Sequence, residues 1–266
     1  MRVGLFVPCY VDQLAPQVAE ATVTVLERVG CRVDYDPDQT CCGQPFANLG
    51  LGPEAARLAR AHLERFAAYD TIVCPSASCV ATVRRHYAGL GVGGDEAGRR
   101  VVERTFELGE YLVRERGLVD VGARFPHRVA LLPSCHGLRE LELGRPSERV
   151  GGAARTGDAG AASATGRPEE HPLGITERLL RAVAGLELVH PARDECCGFG
   201  GVFSVEAPEV SARMGRARLA ELVATGAEWV VATDVSCLLH LDGIRRAAPG
   251  ARGPRPIHLA EVLAAR

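Results

Sequence analysis

Glu195-Cys196-Cys197-Gly198-Phe199-Gly200-Gly201 joins two adjacent cysteines to a glycine-rich run, and the chain carries the same core earlier as Cys41-Cys42-Gly43. The surroundings repeat as well. Val3-Gly-Leu-Phe-Val-Pro8-Cys9 is matched by Val129-Ala-Leu-Leu-Pro-Ser134-Cys135, and the run ending at Cys79 by Trp229-Val-Val-Ala-Thr-Asp-Val-Ser-Cys237. Even the closing segments agree, Leu108-Gly-Glu110-Tyr-Leu112 against Leu259-Ala-Glu261-Val-Leu263. A repeat of half the chain is far longer than a solenoid period, and implies two similar units related by a pseudo-two-fold axis. The units are expected at 1–122 and 123–266.

Spacing agrees with duplication. Residues 10–40 (31 in all) separate Cys9 from Cys41, and 35 separate Gly43 from Cys79, against 38 between Gly198 and Cys237. Between Cys135 and Cys196 lie 60 residues, but that interval holds Gly144–Pro172, rich in Gly, Ala, Arg and Pro. Such composition buries little and reads as a flexible insertion. Without it the interval shrinks to about that of the first unit.

Each unit alternates strand with helix. Apolar runs at 2–8, 31–35 and 71–74 predict strands, with helices over 11–28, 53–69, 80–87 and 105–116. Gly30 is placed to end the first helix and Pro53 to begin the second. Strands follow at 129–132, 186–190 and 229–232, with a helix over 210–225. This alternation predicts an α/β fold: two pseudo-symmetric βαβ domains with mainly parallel sheets, each carrying one CCG motif.

Composition narrows the chemistry. The 266 residues are 47% hydrophobic and 24% charged with a net charge of −2, which suits a globular protein and offers no footprint for nucleic acid. No apolar run approaches the ~20 residues of a membrane-spanning helix, and the run at 2–8 is too short for an export signal, so a cytoplasmic protein is expected. Apart from histidine, every basic residue is Arg. The absence of Lys excludes a P-loop lysine, a pyridoxal Schiff base and a lysine nucleophile.

Ten cysteines in a large chain without an export signal point to metal binding or redox work rather than disulfides. Eight belong to the repeat: Cys9, Cys41, Cys42 and Cys79, then Cys135, Cys196, Cys197 and Cys237. Delivered from carboxyl ends of parallel strands, they would converge on one crevice per unit. Thiolates select iron–sulfur clusters, zinc or copper. Structural zinc usually takes C-x-x-C knuckles, which this chain lacks, whereas a cluster accepts neighbouring cysteines at different irons. Gly43, Gly198, Gly200 and Gly201 would let backbone N–H groups approach the sulfurs. The alternatives are structural zinc, or thiols that simply fill space. Cys31 and Cys74 lie in apolar strands without counterparts and read as core. His136 and His240, beside Cys135 and Cys237, are candidate ligands, substrate contacts or acid–base groups; as turn residues they would need no such role.

These motifs, with Pro-Ser-Ala-Ser-Cys79, Pro-Ser-Cys135-His136-Gly-Leu-Arg139 and Glu195-Cys-Cys-Gly-Phe-Gly-Gly-Val-Phe-Ser204, resemble the cysteine-rich CCG-domain proteins, and within them the LutA/YkgE lactate-utilisation family. The resemblance spans the chain apart from 144–172. It implies an iron–sulfur protein that acts with LutB- and LutC-like companions in oxidising L-lactate to pyruvate, its clusters passing electrons onward. Wider relatives include subunits of glycolate oxidase and heterodisulfide reductase, and the shared motifs leave such roles open beside a non-catalytic zinc or scaffold protein. One departure matters. The wider pattern ends in C-x-x-C, whereas Ser76 and Asp234 stand three residues before Cys79 and Cys237. Four thiols per unit argue against a heterodisulfide-reductase-type cluster and leave [4Fe–4S], in one unit or both, as the expectation. The chain has no flavin or nicotinamide fingerprint, so those cofactors would come from partners. Catalytic roles fall to His136 or His240 as acid–base groups and to Arg139 as a carboxylate clamp. The second unit, with the richer glycine loop and both histidines, is expected to be the more reactive.

Overall fold

Strand β1 (Arg2–Leu5) lies in the middle of its sheet, and Val3, Gly4 and Leu5 are all buried. A continuous apolar run is what a parallel strand covered on both faces requires. The computed structural model describes residues 1–146, 173–247 and 252–266. Beyond Arg145 and Pro146, the expected insertion at 144–172 lies outside the described residues.

From β1 the chain enters α1 (Cys9–Leu14) and α2 (Pro16–Arg28). The single helix expected over 11–28 is thus two, because Pro16 starts a new helix and Ala15 between them has left helical geometry at φ −150°. Gly30 ends α2 at φ +82°, as its position suggested. Then come β2 (Arg32–Tyr35), α3 (Gln44–Asn48), α4 (Gly52–Phe66), β3 (Ile72–Cys74) and α5 (Ala77–Ala81). Helix α5 runs on as a π turn over Thr82–His86. After α6 (Glu96–Glu103) the expected helix over 105–116 divides: Thr105–Glu107 is a strand, β4, and only then does α7 (Leu108–Glu110) begin, continuing as a π turn over Tyr111–Glu115. Three residues with no turn between them and the helix carry too little periodicity to be read as a strand.

The second half repeats the course: β5 (Arg128–Leu131), α8 (Cys135–Arg139), α9 (Ile175–Ala182), β6 (Glu187–Val189), α10 (Phe203–Glu206), α11 (Pro208–Ala224), β7 (Trp229–Ala232), α12 (Val235–Ala247), β8 (Arg255–His258) and α13 (Leu259–Ala264). The sheet orders are β2-β1-β3-β4 and β6-β5-β7-β8, and every pairing is parallel. Pro256 is accommodated in β8 because that strand is an edge. In each half the chain leaves the carboxyl ends of the first three strands toward a cysteine. Cysteines from distant parts of the sequence therefore gather at one sheet edge.

The halves are interlocked. Helix α13 packs on α2, and α7 packs on α9. Arg28 of α2 donates to the carbonyls of Leu263 (2.8 Å) and Ala264 (2.6 Å) at the end of α13. One buried apolar cluster runs through both sheets, from Val3, Leu5 and Val73 to Val129, Leu131, Val231 and Leu263. Cys31 belongs to this core, its thiol 3.3 Å from the Tyr111 hydroxyl.

At the centre, repeat-equivalent residues meet. Ser76 and Asp234 hold the same place in the two units, and the Ser76 hydroxyl donates to Asp234 Oδ1 at 2.7 Å. The same oxygen accepts from the Ser78 hydroxyl (2.7 Å) and backbone N–H (3.0 Å), while Oδ2 accepts from the Ser134 hydroxyl. All these bonds run toward the Asp234 oxygens, as a carboxylate requires, and its residue is 2% exposed. Nearby stand Glu107 and His258, also repeat-equivalent, which cap α7 and α13 by accepting from the N–H of Glu110 (3.0 Å) and Ala260 (3.1 Å). Burial pushes Glu107 up to about 8 and His258 down to about 4, so the neutral form of each is favoured near neutrality.

Truncating the acceptor would strand four buried donors. Asp234→Ala is expected to lose about 3 kcal/mol of unfolding free energy, and Asp234→Asn, which keeps one acceptor oxygen, less. Urea unfolding followed by circular dichroism measures both.

Candidate metal centre

Two matched thiol sets lie at the carboxyl edges of the sheets. In the first, Cys9 opens α1 just beyond β1, Cys41 and Cys42 close the loop after β2, and Cys79 sits in α5 just beyond β3. The Sγ atoms of Cys9 and Cys41 are 3.8 Å apart and those of Cys42 and Cys79 3.6 Å apart. Cys41 and Cys42 are neighbours in the chain, which brings the two pairs together as one set. The second set has the same order. Cys197 Sγ lies 3.0 Å from that of Cys237, and Cys196 interacts electrostatically with Cys135 and Cys197. All ten cysteines are free.

Each set contains one thiol whose charged form is favoured. Cys41 is held well below the usual thiol range by hydrogen bonds from Cys42 and Cys9, helped by the Gly43 N–H. Cys196 is held below it by Cys135 and Cys197, helped by the Gly198 N–H. Their neighbours Cys9, Cys42, Cys135 and Cys197 are pushed up, chiefly by the same bonds and then by burial. His62 adds to the lowering of Cys41, and His136 to that of Cys196, and four thiols gathered in this way are soft donors. Among the described residues no three or more Cys, His, Asp or Glu side chains gather around a single-ion position.

The glycine of each motif is demanded by its place. Gly43 has φ +90° and Gly198 φ +88°, and each N–H lies 3.4 Å from the sulfur two residues back. A Cβ on Gly43 would stand 3.1 Å from the Ala55 carbonyl, and one on Gly198 only 2.6 Å from the Ser211 carbonyl and 2.7 Å from Met214 Cβ. The motif glycine therefore seals its loop onto α4 in one half and α11 in the other. Gly200 and Gly201, at φ +57° and +62°, accept from Phe203 N–H and Ser204 N–H through their carbonyls and so start α10.

The candidate histidines flank the second set. His136 Nδ1 is 3.7 Å from Cys135 Sγ, and its Nε2 is 3.3 Å from Gln44 Nε2 of the first half. His240 Nε2 is 3.5 Å from the Ser211 hydroxyl, its ring lies 5.9 Å from that of Phe199, and burial pushes its pKa down. Arg139 is exposed at the end of α8. Phe199 in turn meets the Tyr10 ring edge-on at 5.7 Å, so the loop after Cys197 leans on the helix that begins with Cys9.

Several supporting residues were not singled out from sequence. Gln39 ties the first CCG loop to the end of β1, donating to the Leu5 carbonyl (3.1 Å) and accepting from Val7 N–H (2.6 Å). The buried Tyr87 hydroxyl donates to the Cys42 carbonyl at 3.1 Å. Neither has a local motif, because each acts on residues more than thirty positions away. Ser76 and Asp234 did carry a signal, as the places where cysteine is missing. The structure shows what stands there instead: a hydrogen-bonded joint between the halves whose oxygens are all committed.

The cysteine-rich domain family known as CCG matches residues 3–84 and 164–242. Among curated proteins, the lactate utilization protein A of Geobacillus kaustophilus is 36% identical over 270 residues, covering all of both chains. That of Bacillus subtilis is 33% identical over 271 residues, again covering both in full, and that of an Exiguobacterium strain 36% identical over 98% of this chain and 96% of its own. A solved aspartate racemase homologue from Pyrococcus horikoshii covers 99% of this chain and 95% of its own at 10% identity and a TM-score of 0.34, a likeness too slight to carry argument. This chain belongs to the lactate utilization protein A family of CCG cysteine-rich proteins.

The two motif glycines differ in the room around them. Gly198→Ala is expected to lower stability by about 3 kcal/mol through combined clash and strain, and Gly43→Ala by about 1–2 kcal/mol. Thermal melting of the two variants gives the order.

Proposed function

We propose that this lactate utilization protein A relative is the iron–sulfur component of a multi-protein system that oxidises L-lactate to pyruvate. The observation that carries the proposal is the doubled row of four thiols, each with a motif glycine N–H directed at its second sulfur. Cys9, Cys41, Cys42 and Cys79 would hold one cluster and Cys135, Cys196, Cys197 and Cys237 a second, within repeat units 1–122 and 123–266. Four cysteines per unit suit a [4Fe–4S] cluster, and the chain has none of the C-x-x-C knuckles that structural zinc usually takes. Such a cluster accepts and passes on single electrons.

The protein's own groups do the rest. Gly43 and Gly198 donate to Cys41 and Cys196, the hydrogen bonding to sulfur by which proteins tune potential. Arg139 would clamp the carboxylate of a 2-hydroxy acid, and His136 or His240 would hold the hydroxyl proton at Nε2. Both histidines border the second set, which supports that half as the working one. Removing two electrons from lactate also demands a first acceptor, which LutB- and LutC-like partners would supply. Among the described residues no helix is long and apolar enough to cross a membrane.

A host lacking its own lactate utilization protein A tests this reading by growth. The wild-type chain should restore growth on L-lactate, whereas Cys196→Ala/Cys197→Ala should not, with growth on glucose equal throughout. Restoration by the double variant, or none by the well-expressed wild type beside its own partner subunits, would contradict the assignment.

A further inference from the structure

Cys74, the last residue of β3, is wholly buried, as expected of a core residue. Its neighbours are not those of an ordinary core residue. The Cys74 thiol interacts electrostatically with those of Cys79 and Cys42. Its other polar contact is the Ser76 carbonyl, 3.8 Å away. A fifth sulfur therefore stands behind the first thiol row.

Sheet register identifies its counterpart. Cys74 pairs with Glu107 on β4, and Ala232 pairs with His258 on β8. Glu107 and His258 are the repeat-equivalent caps of α7 and α13, so Ala232 occupies the place of Cys74, with 1% exposure. The second half thus builds its row from four thiols with a methyl group behind Cys237. Since the repeat needs only four, the thiol behind Cys79 is surplus to it.

We infer that Cys74 is a reserve ligand of the first thiol set, able to take the place of Cys79 on an iron–sulfur cluster, and that the second set has no such reserve. The inference rests on the cluster reading above. The exchange is a ligand substitution: the iron–sulfur bond to Cys79 would be replaced by one to Cys74, whose thiol proton passes to the released Cys79 thiolate, with no change in oxidation state. Only the segment Pro75-Ser76-Ala77-Ser78 separates the two cysteines, and both meet Ser76, the Cys74 thiol at its carbonyl (3.8 Å) and the Cys79 N–H at its hydroxyl (3.3 Å). The first cluster would then survive loss of one ligand that the second cannot spare.

The test isolates each half. With the second half disarmed by Cys196→Ala/Cys197→Ala, the chain is reconstituted anaerobically with ferrous iron and sulfide, and bound iron and acid-labile sulfide are measured. Cys79→Ser should keep most of the iron of this parent, Cys74→Ala should keep it, and Cys74→Ala/Cys79→Ser should lose it several-fold. With the first half disarmed by Cys41→Ala/Cys42→Ala, Cys237→Ser should lose its iron several-fold, and adding Ala232→Cys should restore it. The Ala232→Cys arm reads the same geometry without disturbing the first half, so misfolding of Cys79→Ser does not decide the matter. Iron lost as fully from Cys79→Ser as from the double variant, with no recovery by Ala232→Cys, would overturn the reserve role alone. A wild-type chain and parents that take up no iron would overturn the cluster reading itself.

Discussion

Asp234 is the point on which the two halves turn. Three serine hydroxyls and one backbone N–H converge on its oxygens, two of the serines from the turn that ends at Cys79 and the third just before Cys135. Both turns lead directly into cysteines of the two sets. A buried carboxylate needs such donors to replace lost hydration, so the chain around it has little freedom to shift. The same residue lies three positions before Cys237. A single hydrogen-bonded group thereby ties together segments that carry cysteines of both sets. Burial favours the neutral forms of Glu107 and His258, so neither brings a charge of its own into that core near neutrality.

From this joint outward the construction is repetitive. Each half sends three strand ends to one sheet edge, starts a short helix at the first cysteine, and closes its CCG loop with a glycine at positive φ against a long helix. The closing helices are exchanged, α13 onto α2 and α7 onto α9. Neither thiol set is thus built on an independent support, and the shared apolar cluster makes the sets parts of one body. Symmetry is broken in chemistry rather than in backbone. His136 and His240 border only the second set, while Cys74 stands behind only the first, opposite Ala232.

The duplication was legible in the sequence because it is carried by cysteines, glycines and apolar runs whose order does not depend on packing. The parallel α/β architecture and the eight repeated thiols followed from it. Strand β4 was not legible: Thr105–Glu107 is three residues long and runs into α7 without a break. Pro16 divided a helix that apolar spacing alone made continuous. The role of Asp234 was hidden for another reason. Absence of a cysteine says only what a position does not do, and its partners Ser76 and Ser78 lie more than 150 residues away. The neighbours of Cys74 were hidden likewise, since an apolar strand context reads as core whatever stands behind it.

Metal content tests the central claim most directly. The chain is purified without oxygen, and iron, acid-labile sulfide and zinc are measured on the same sample, with electron paramagnetic resonance after reduction. Two thiol rows of this kind predict a brown protein with matching iron and sulfide and a reduced-cluster signal. A colourless protein holding stoichiometric zinc and no iron would contradict the account.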